Sequence, residues 1–183
     1  MSINGKQTLQ DRNKAIVARY SDEFWGKCNV NIVDELCSDD VLSNYPMHGP
    51  RRGKEAVKRM LSEFKEAFPN VSFHPYGPIP MIAEGDYVVT RWIGSFILPV
   101  SSGFPLTATG GGRHSGVAFG DLPTGSLEEP NTGREIHFSG TTIFTLRDGK
   151  IVEETGEEGA LTALQQLGLI PPPNPTSGAN RSL

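Results

Sequence analysis

The stretch REIHFSGTTIFTLRDGKIVEE (residues 134–154) decides the fold. Ile136, Phe138, Phe144 and Leu146 recur at even spacing, the period of a strand with one face in a core. Asp148-Gly149 is a strong two-residue turn signal, so the chain folds back as a hairpin through RDGK into IVEE and sets Leu146 near Ile151. Thr142 falls on the apolar face with Gly140 beside it. A hydroxyl there needs either a nearby carbonyl or a cavity that supplies a partner, and the second alternative makes Thr142 and Gly140 a pocket wall.

Working outward, YVVTRWIGSFIL (87–98) follows a turn at EGD (84–86) and reads as a strand rich in β-branched and aromatic residues. Val88, Thr90, Trp92 and Phe96 share one of its faces. Trp92 is either plain core or the lining of an aromatic-binding cavity, with its indole N–H as a polar handle. VSFHPYGPIPMIA (71–83) is broken by prolines, so a strand there is short or at an edge.

The N-terminal half reads as helices. NKAIVARYSDEFWGK (13–27) places Ile16, Val17, Tyr20, Phe24 and Trp25 at helical spacing, NIVDELCS (31–38) forms a short second helix, and KEAVKRMLSEFKEAF (54–68) is the clearest third. DVLSNYPMHGPRRG (40–53) loses periodicity and reads as loop; ALTALQQLG (160–168) closes with a small helix. Helices first and a mostly antiparallel sheet afterwards make an α+β fold, not a βαβ chain. A single domain over 1–170 carries polar excursions near 97–110 and 125–131, and a Pro-rich tail, 171–183, lacks core-forming residues.

The totals narrow the function classes. At 183 residues and net charge −4, without a basic stripe, the chain is not expected to bind nucleic acid or an anionic membrane. No apolar run approaches the roughly 20 residues of a membrane span, and the N-terminus has no secretory h-region. Cys28 and Cys37 lack metal or redox spacing and read as reduced thiols of a cytoplasmic protein. No HxH, HExxH or His-plus-carboxylate spacing occurs, so no metal is expected, and no nucleophile elbow, phosphate loop or dinucleotide fingerprint is present.

Of four histidines, His74 and His137 are expected at the surface, whereas His48, in SNYPMHGPRRG, suits a pocket rim. His114 stands among glycines in GGGRHSGVAFGD (110–121). Such a run costs conformational entropy, and it marks either a flexible loop or a place where backbone and ligand approach an imidazole.

NKAIVARYSDEFWGKCNVNIVDELCSDDVLSNYP, AEGDYVVTRW, GRHSGVAFGDLPTG, TGREIHFSGTTIFTLRDGKIVEE and ALTALQQLG, in that order, resemble the SnoaL-like polyketide cyclases from Asn13 to Gly168. The resemblance implies a nuclear transport factor 2-like fold, a curved antiparallel sheet forming a cone closed by the N-terminal helices, and homodimers through the outer sheet face. It implies an aldol-type ring closure without cofactor, served by a histidine in a G-x-H-x-G segment and an aspartate on the late strand. His114 in GRHSG matches that histidine, while Thr142 stands where the aspartate falls, and threonine is no base near neutral pH. Asn44 matches a polar pocket position, Tyr20 an aromatic reaching the cavity from the first helix, and Thr155-Gly156 replaces a Trp-Asp pair.

The expected function is a cyclase or isomerase acting by acid–base chemistry on an apolar, oxygenated, polyketide- or terpenoid-like molecule. His114 moves the proton, Asn44, Tyr45 and Thr142 hold oxygens, and Tyr20, Trp92, Phe138 and Phe144 supply apolar walls, with His48 at the rim. Glu154 can replace the missing acid only if its face points inward, which the hairpin pattern leaves open. A non-catalytic small-molecule binder and an epoxide hydrolase-like enzyme on the same fold are the alternatives.

Overall fold

Thr8 caps the first helix, α1 (Leu9–Tyr20), by accepting the Asp11 amide at 3.1 Å. The chain runs on into a π-helical turn, Ser21–Gly26, and then α2 (Ile32–Leu36) and α3 (Lys54–Ala67). The computed structural model describes residues 7–46, 49–68, 71–76, 80–96, 112–113, 135–168 and 170–171. The expected first helix is thus a helix plus a wider turn, and the second and third lie where their apolar spacing puts them.

Seven strands form one curved, unclosed sheet: β1 (Cys37–Tyr45), β2 (Gly49–Arg52), β3 (Val71–Pro75), β4 (Ile82–Glu84), β5 (Tyr87–Phe96), β8 (Ser139–Arg147) and β9 (Lys150–Glu158). Their order is β2-β1-β9-β8-β5-β3, with β4 also against β5. Every pair is antiparallel except β1 with β9. A separate two-stranded ladder joins β6 (Gly112–Arg113) to β7 (Glu135–Ile136), and α4 (Ala160–Leu167) follows the sheet, ending on Gly168 at φ 79°. The proline-broken segment contributes β3, at the sheet edge.

Two expectations are corrected. Residues 40–53 are largely strand rather than loop: Val41, Ser43 and Tyr45 face inward, and the serine among them hides the alternation. Ladders to β9 and β2 hold β1 there, a tertiary cause that its own pattern does not show. The 134–146 segment is two strands, interrupted at His137 and Phe138, where Phe138 accepts the Gly94 amide at 3.0 Å.

The apolar alternation is realised: Ile136, Phe138, Thr142, Phe144 and Leu146 are all buried. The helices cover this inner face. Val17, Tyr20, Phe24, Val33, Met60 and Leu61 pack on Val88, Phe144, Leu146 and Ile151 as one cluster. Phe64 of α3 and Phe68 just after it join Phe73, Ile136, Phe138 and the apolar side of α4 in a second, and Trp25 touches both. Burying each such side chain contributes about 1.5–3 kcal/mol.

Two glycines of the inner face seat aromatic rings. A Cβ at Gly140 would lie 2.3 Å from Trp92 Cζ2 and 2.7 Å from the Glu157 carbonyl; one at Gly156 would lie 2.0 Å from Tyr45 Cε1. Each glycine therefore lets a ring lie flat on the backbone. Gly140→Ala and Gly156→Ala should each destabilise the protein by about 1–3 kcal/mol, the usual cost of overpacking. Unchanged denaturation midpoints would show that the rings do not need these seats.

Candidate functional site

Trp25, Tyr45, Phe64, Phe73, Trp92 and Phe144 wall a cavity between the helices and the inner sheet face. Its free volume is about 40 Å³. A pocket for a drug-sized ligand spans about 300–1,000 Å³, so the cavity takes one end of a larger molecule unless its walls move. Phe73 meets Trp25 and Trp92 edge to face at 5.3 Å, and Trp25 meets Tyr45 the same way at 5.5 Å. Half-buried Ser21, His74 and Glu158 and exposed Pro75 complete the lining and mark its mouth.

Thr142 is the polar centre of this wall. Its Oγ1 accepts from Trp92 Nε1 at 2.8 Å and shares a hydrogen bond with the Tyr45 hydroxyl at 3.0 Å. The hydroxyl on the apolar strand face is thus satisfied by two cavity residues rather than by a carbonyl. Thr90, its cross-strand partner on β5, also lines the space.

Glu154 lies deeper and is fully buried. The Tyr20 hydroxyl donates to its Oε1 at 3.1 Å and Trp25 Nε1 donates to its Oε2 at 3.3 Å. The Ser43 hydroxyl reaches both this carboxyl and Met60 Sδ, the latter at 3.7 Å. Its one hydrogen belongs on the carboxylate, the stronger acceptor. Burial pushes the Glu154 carboxyl up to about 7, while the bonds from Ser43, Trp25 and Tyr20 pull the other way. Burial, followed by the Glu154 charge, holds the Tyr20 phenol well above its ordinary range. Trp25 belongs to both places: it faces the cavity and holds the carboxyl behind it.

The sequence-derived candidates divide clearly. Tyr45, Trp92, Thr142 and Phe144 meet at the cavity; Tyr20 and Glu154 meet behind it. Phe138 is buried in the second core cluster, packed on Phe73 and Trp92, and supports the wall without lining it. Asn44 is a correction: on β1 it alternates with the inward Ser43 and Tyr45, so it lies on the other face. His74, expected at the surface, is half-buried and lines the cavity, whereas His137 is exposed as expected. His114 and His48 lie outside the described residues.

Trp25, Phe73 and Glu158 are lining residues that sequence reasoning did not place at a site. One signal was present for Trp25: adjacent Phe24 and Trp25 cannot both sit on one narrow helical stripe. The π-helical turn resolves this by burying Phe24 while Trp25 reaches the cavity. Among the described residues no three His, Cys, Asp or Glu side chains gather as metal ligands would.

A carboxyl raised from 4.5 to about 7 binds its proton more tightly when folded. Its contribution to stability is full below the lower value and is lost as pH rises through the upper one. Thermal or urea unfolding should therefore show stability falling by on the order of 3 kcal/mol between those limits. Glu154→Gln, a neutral mimic, should flatten that slope; an equal slope in the variant would rule out Glu154 as its source.

Residues 17–154 match the family model of the SnoaL-like domain. No curated protein sequence matches the chain. Similar solved structures include a candidate SnoaL-like polyketide cyclase from Jannaschia sp. CCS1, 19% identical with a TM-score of 0.67, covering 92% of this chain and 99% of that one. IdmH of Streptomyces antibioticus, a candidate polyketide cyclase, is 21% identical with a TM-score of 0.60 over 85% of this chain and 98% of its own. AclR of Streptomyces galilaeus, a candidate hydroxylase, is 17% identical with a TM-score of 0.62 over 88% and 99%. At these identities the likeness is one of fold. The family match spans most of the 183 residues, and the helices, the curved sheet and the cavity agree with it: the chain belongs to the SnoaL-like family.

Proposed function

We propose that this protein is a cofactor-independent cyclase or isomerase acting by acid–base chemistry on an apolar, oxygenated small molecule of polyketide or terpenoid type. Family membership supports a cyclase- or hydroxylase-type activity on this fold. The observation that carries the finer reading is Glu154, a wholly buried carboxyl tied to the cavity wall through Trp25. A proton carrier that titrates near neutrality suits enol formation and protonation. Glu154 takes the part of the acid that Thr142 cannot play, with His114 as the second proton-moving group.

A second reading, a binding protein without turnover, is favoured by Thr142 itself, whose hydroxyl is engaged by Trp92 and Tyr45. Incubation with a panel of poly-β-ketones and terpenoid ketones, followed by mass spectrometry, separates the two. Glu154→Gln and His114→Ala should each lower product formation about 10²-fold or more, with ligand-induced tryptophan quenching retained. Unchanged turnover alongside a native circular dichroism spectrum would remove the corresponding assignment.

The same reading includes a homodimer through the outer face of the sheet. Ile82, Tyr87 and Ile143 are 63%, 55% and 47% exposed there. Val89 pairs with both Ile82 and Ile143, so the side chains form one patch. A cytoplasmic setting accords with the two free cysteines, and no helix among the described residues is long and apolar enough to cross a membrane. Sedimentation should give a dimer mass, and Ile143→Glu should shift it toward the monomer; a monomeric wild type would refute the pairing.

A further inference from the structure

Trp92, Thr142 and Tyr45 form a chain of two hydrogen bonds that meet on Thr142 Oγ1. An indole only donates, so Thr142 Oγ1 accepts from Trp92. The three groups carry three polar hydrogens, one N–H and two O–H, and the two bonds use two of them. One hydroxyl hydrogen is left over. It sits on Tyr45 if Thr142 donates to the phenol, and on Thr142 if the phenol donates. Among the described residues neither hydroxyl has any further partner.

That hydrogen belongs to a residue of the cavity wall. Both residues are buried and both line the cavity, where Trp25, Phe64, Phe73 and Phe144 make the wall mostly apolar and Thr90, Ser21, His74 and Glu158 add its other polar groups. Each ring is held by the glycine beneath it, Trp92 on Gly140 and Tyr45 on Gly156. A donor without an acceptor in such surroundings costs about 1–3 kcal/mol, which a ligand oxygen would offset.

We propose that this leftover hydroxyl hydrogen receives a carbonyl oxygen of the ligand, so that the cavity selects molecules presenting an acceptor oxygen at an apolar end. This deepens the function proposed above and rests on its reading of the cavity as the ligand site. When a base removes the proton from the carbon beside that carbonyl, the C–H electron pair forms the enolate and its charge moves onto the oxygen. The Tyr45–Thr142 hydroxyl pair then faces a stronger acceptor than before, so it stabilises the enolate more than the ketone. Thr142, where the resemblance expects an aspartate, thereby acts as an oxygen-binding group in place of a proton-moving one.

Cyclohexanone and methylenecyclohexane share a shape and differ in the acceptor. Titrated at pH 8 and followed by thermal shift, cyclohexanone should bind the wild-type protein about tenfold more tightly, the worth of one hydrogen bond in a dry site. Its carbonyl stretch should move to lower frequency on binding. Tyr45→Phe should keep the preference, because the spare hydrogen then rests on Thr142. Thr142→Asp should abolish it, since an ionised carboxylate accepts from both Trp92 and Tyr45 and leaves no donor. Equal binding of the two probes to wild type, an unshifted carbonyl band, or a full preference in a folded Thr142→Asp variant would overturn the proposal; if that variant does not fold, the two wild-type measurements decide. Failure of both probes to stabilise the protein would overturn the cavity reading as well.

Discussion

Between β8 and β9 the register changes by one residue: Thr145 pairs with Glu153, yet Leu146 pairs with Ile151. Val152 is therefore the extra residue of a bulge, and the side chains on β9 change face there. Ile151 points inward before it, and Glu154 and Gly156 point inward after it. An uninterrupted ladder would have turned Glu153 and Thr155 toward the helices instead. The buried carboxyl, the seat under Tyr45 and the contact between Tyr45 and Thr142 all follow from this single inserted residue.

Burying a carboxyl beneath aromatic rings is unfavourable, and three donors from three elements moderate the cost. Tyr20 comes from α1, Trp25 from the π-helical turn and Ser43 from β1. The balance leaves a group that holds or releases a proton near neutral pH, where a surface glutamate is fully ionised. Trp25 is the hinge of this arrangement because it packs on Phe24, Tyr45 and Phe73 while its N–H holds the carboxyl. Electrostatics and packing therefore meet in one side chain.

The departures from the expected family pattern have a common physical effect. Thr142 in place of an aspartate, and Thr155-Gly156 in place of a Trp-Asp pair, remove carboxylates from the cavity side of the late strands. Gly156 then makes room for the Tyr45 ring, and the hydroxyl of that ring reaches Thr142. At these two positions neutral groups stand in apolar surroundings, while Glu158 at the end of β9 remains in the lining. The Glu154 carboxyl, raised by burial, is set one layer deeper.

Periodicity within the sequence was enough to specify the helices over 54–68 and 160–168, the RDGK hairpin, the edge position of the proline-broken strand and the inward set Ile136, Phe138, Thr142, Phe144 and Leu146. Those features depend on neighbours in the chain, where a period of 3.6 or 2 writes itself directly into residue order. The strand character of residues 37–45, the break at His137, the inward turn of Glu154 and the approach of His74 to the cavity were decided by tertiary structure. A ladder partner, a bulge or a packed ring comes from residues far away in sequence. Two adjacent glutamates, Glu153 and Glu154, look alike in the chain, and the register of β8 against β9 alone chooses which of them leaves water.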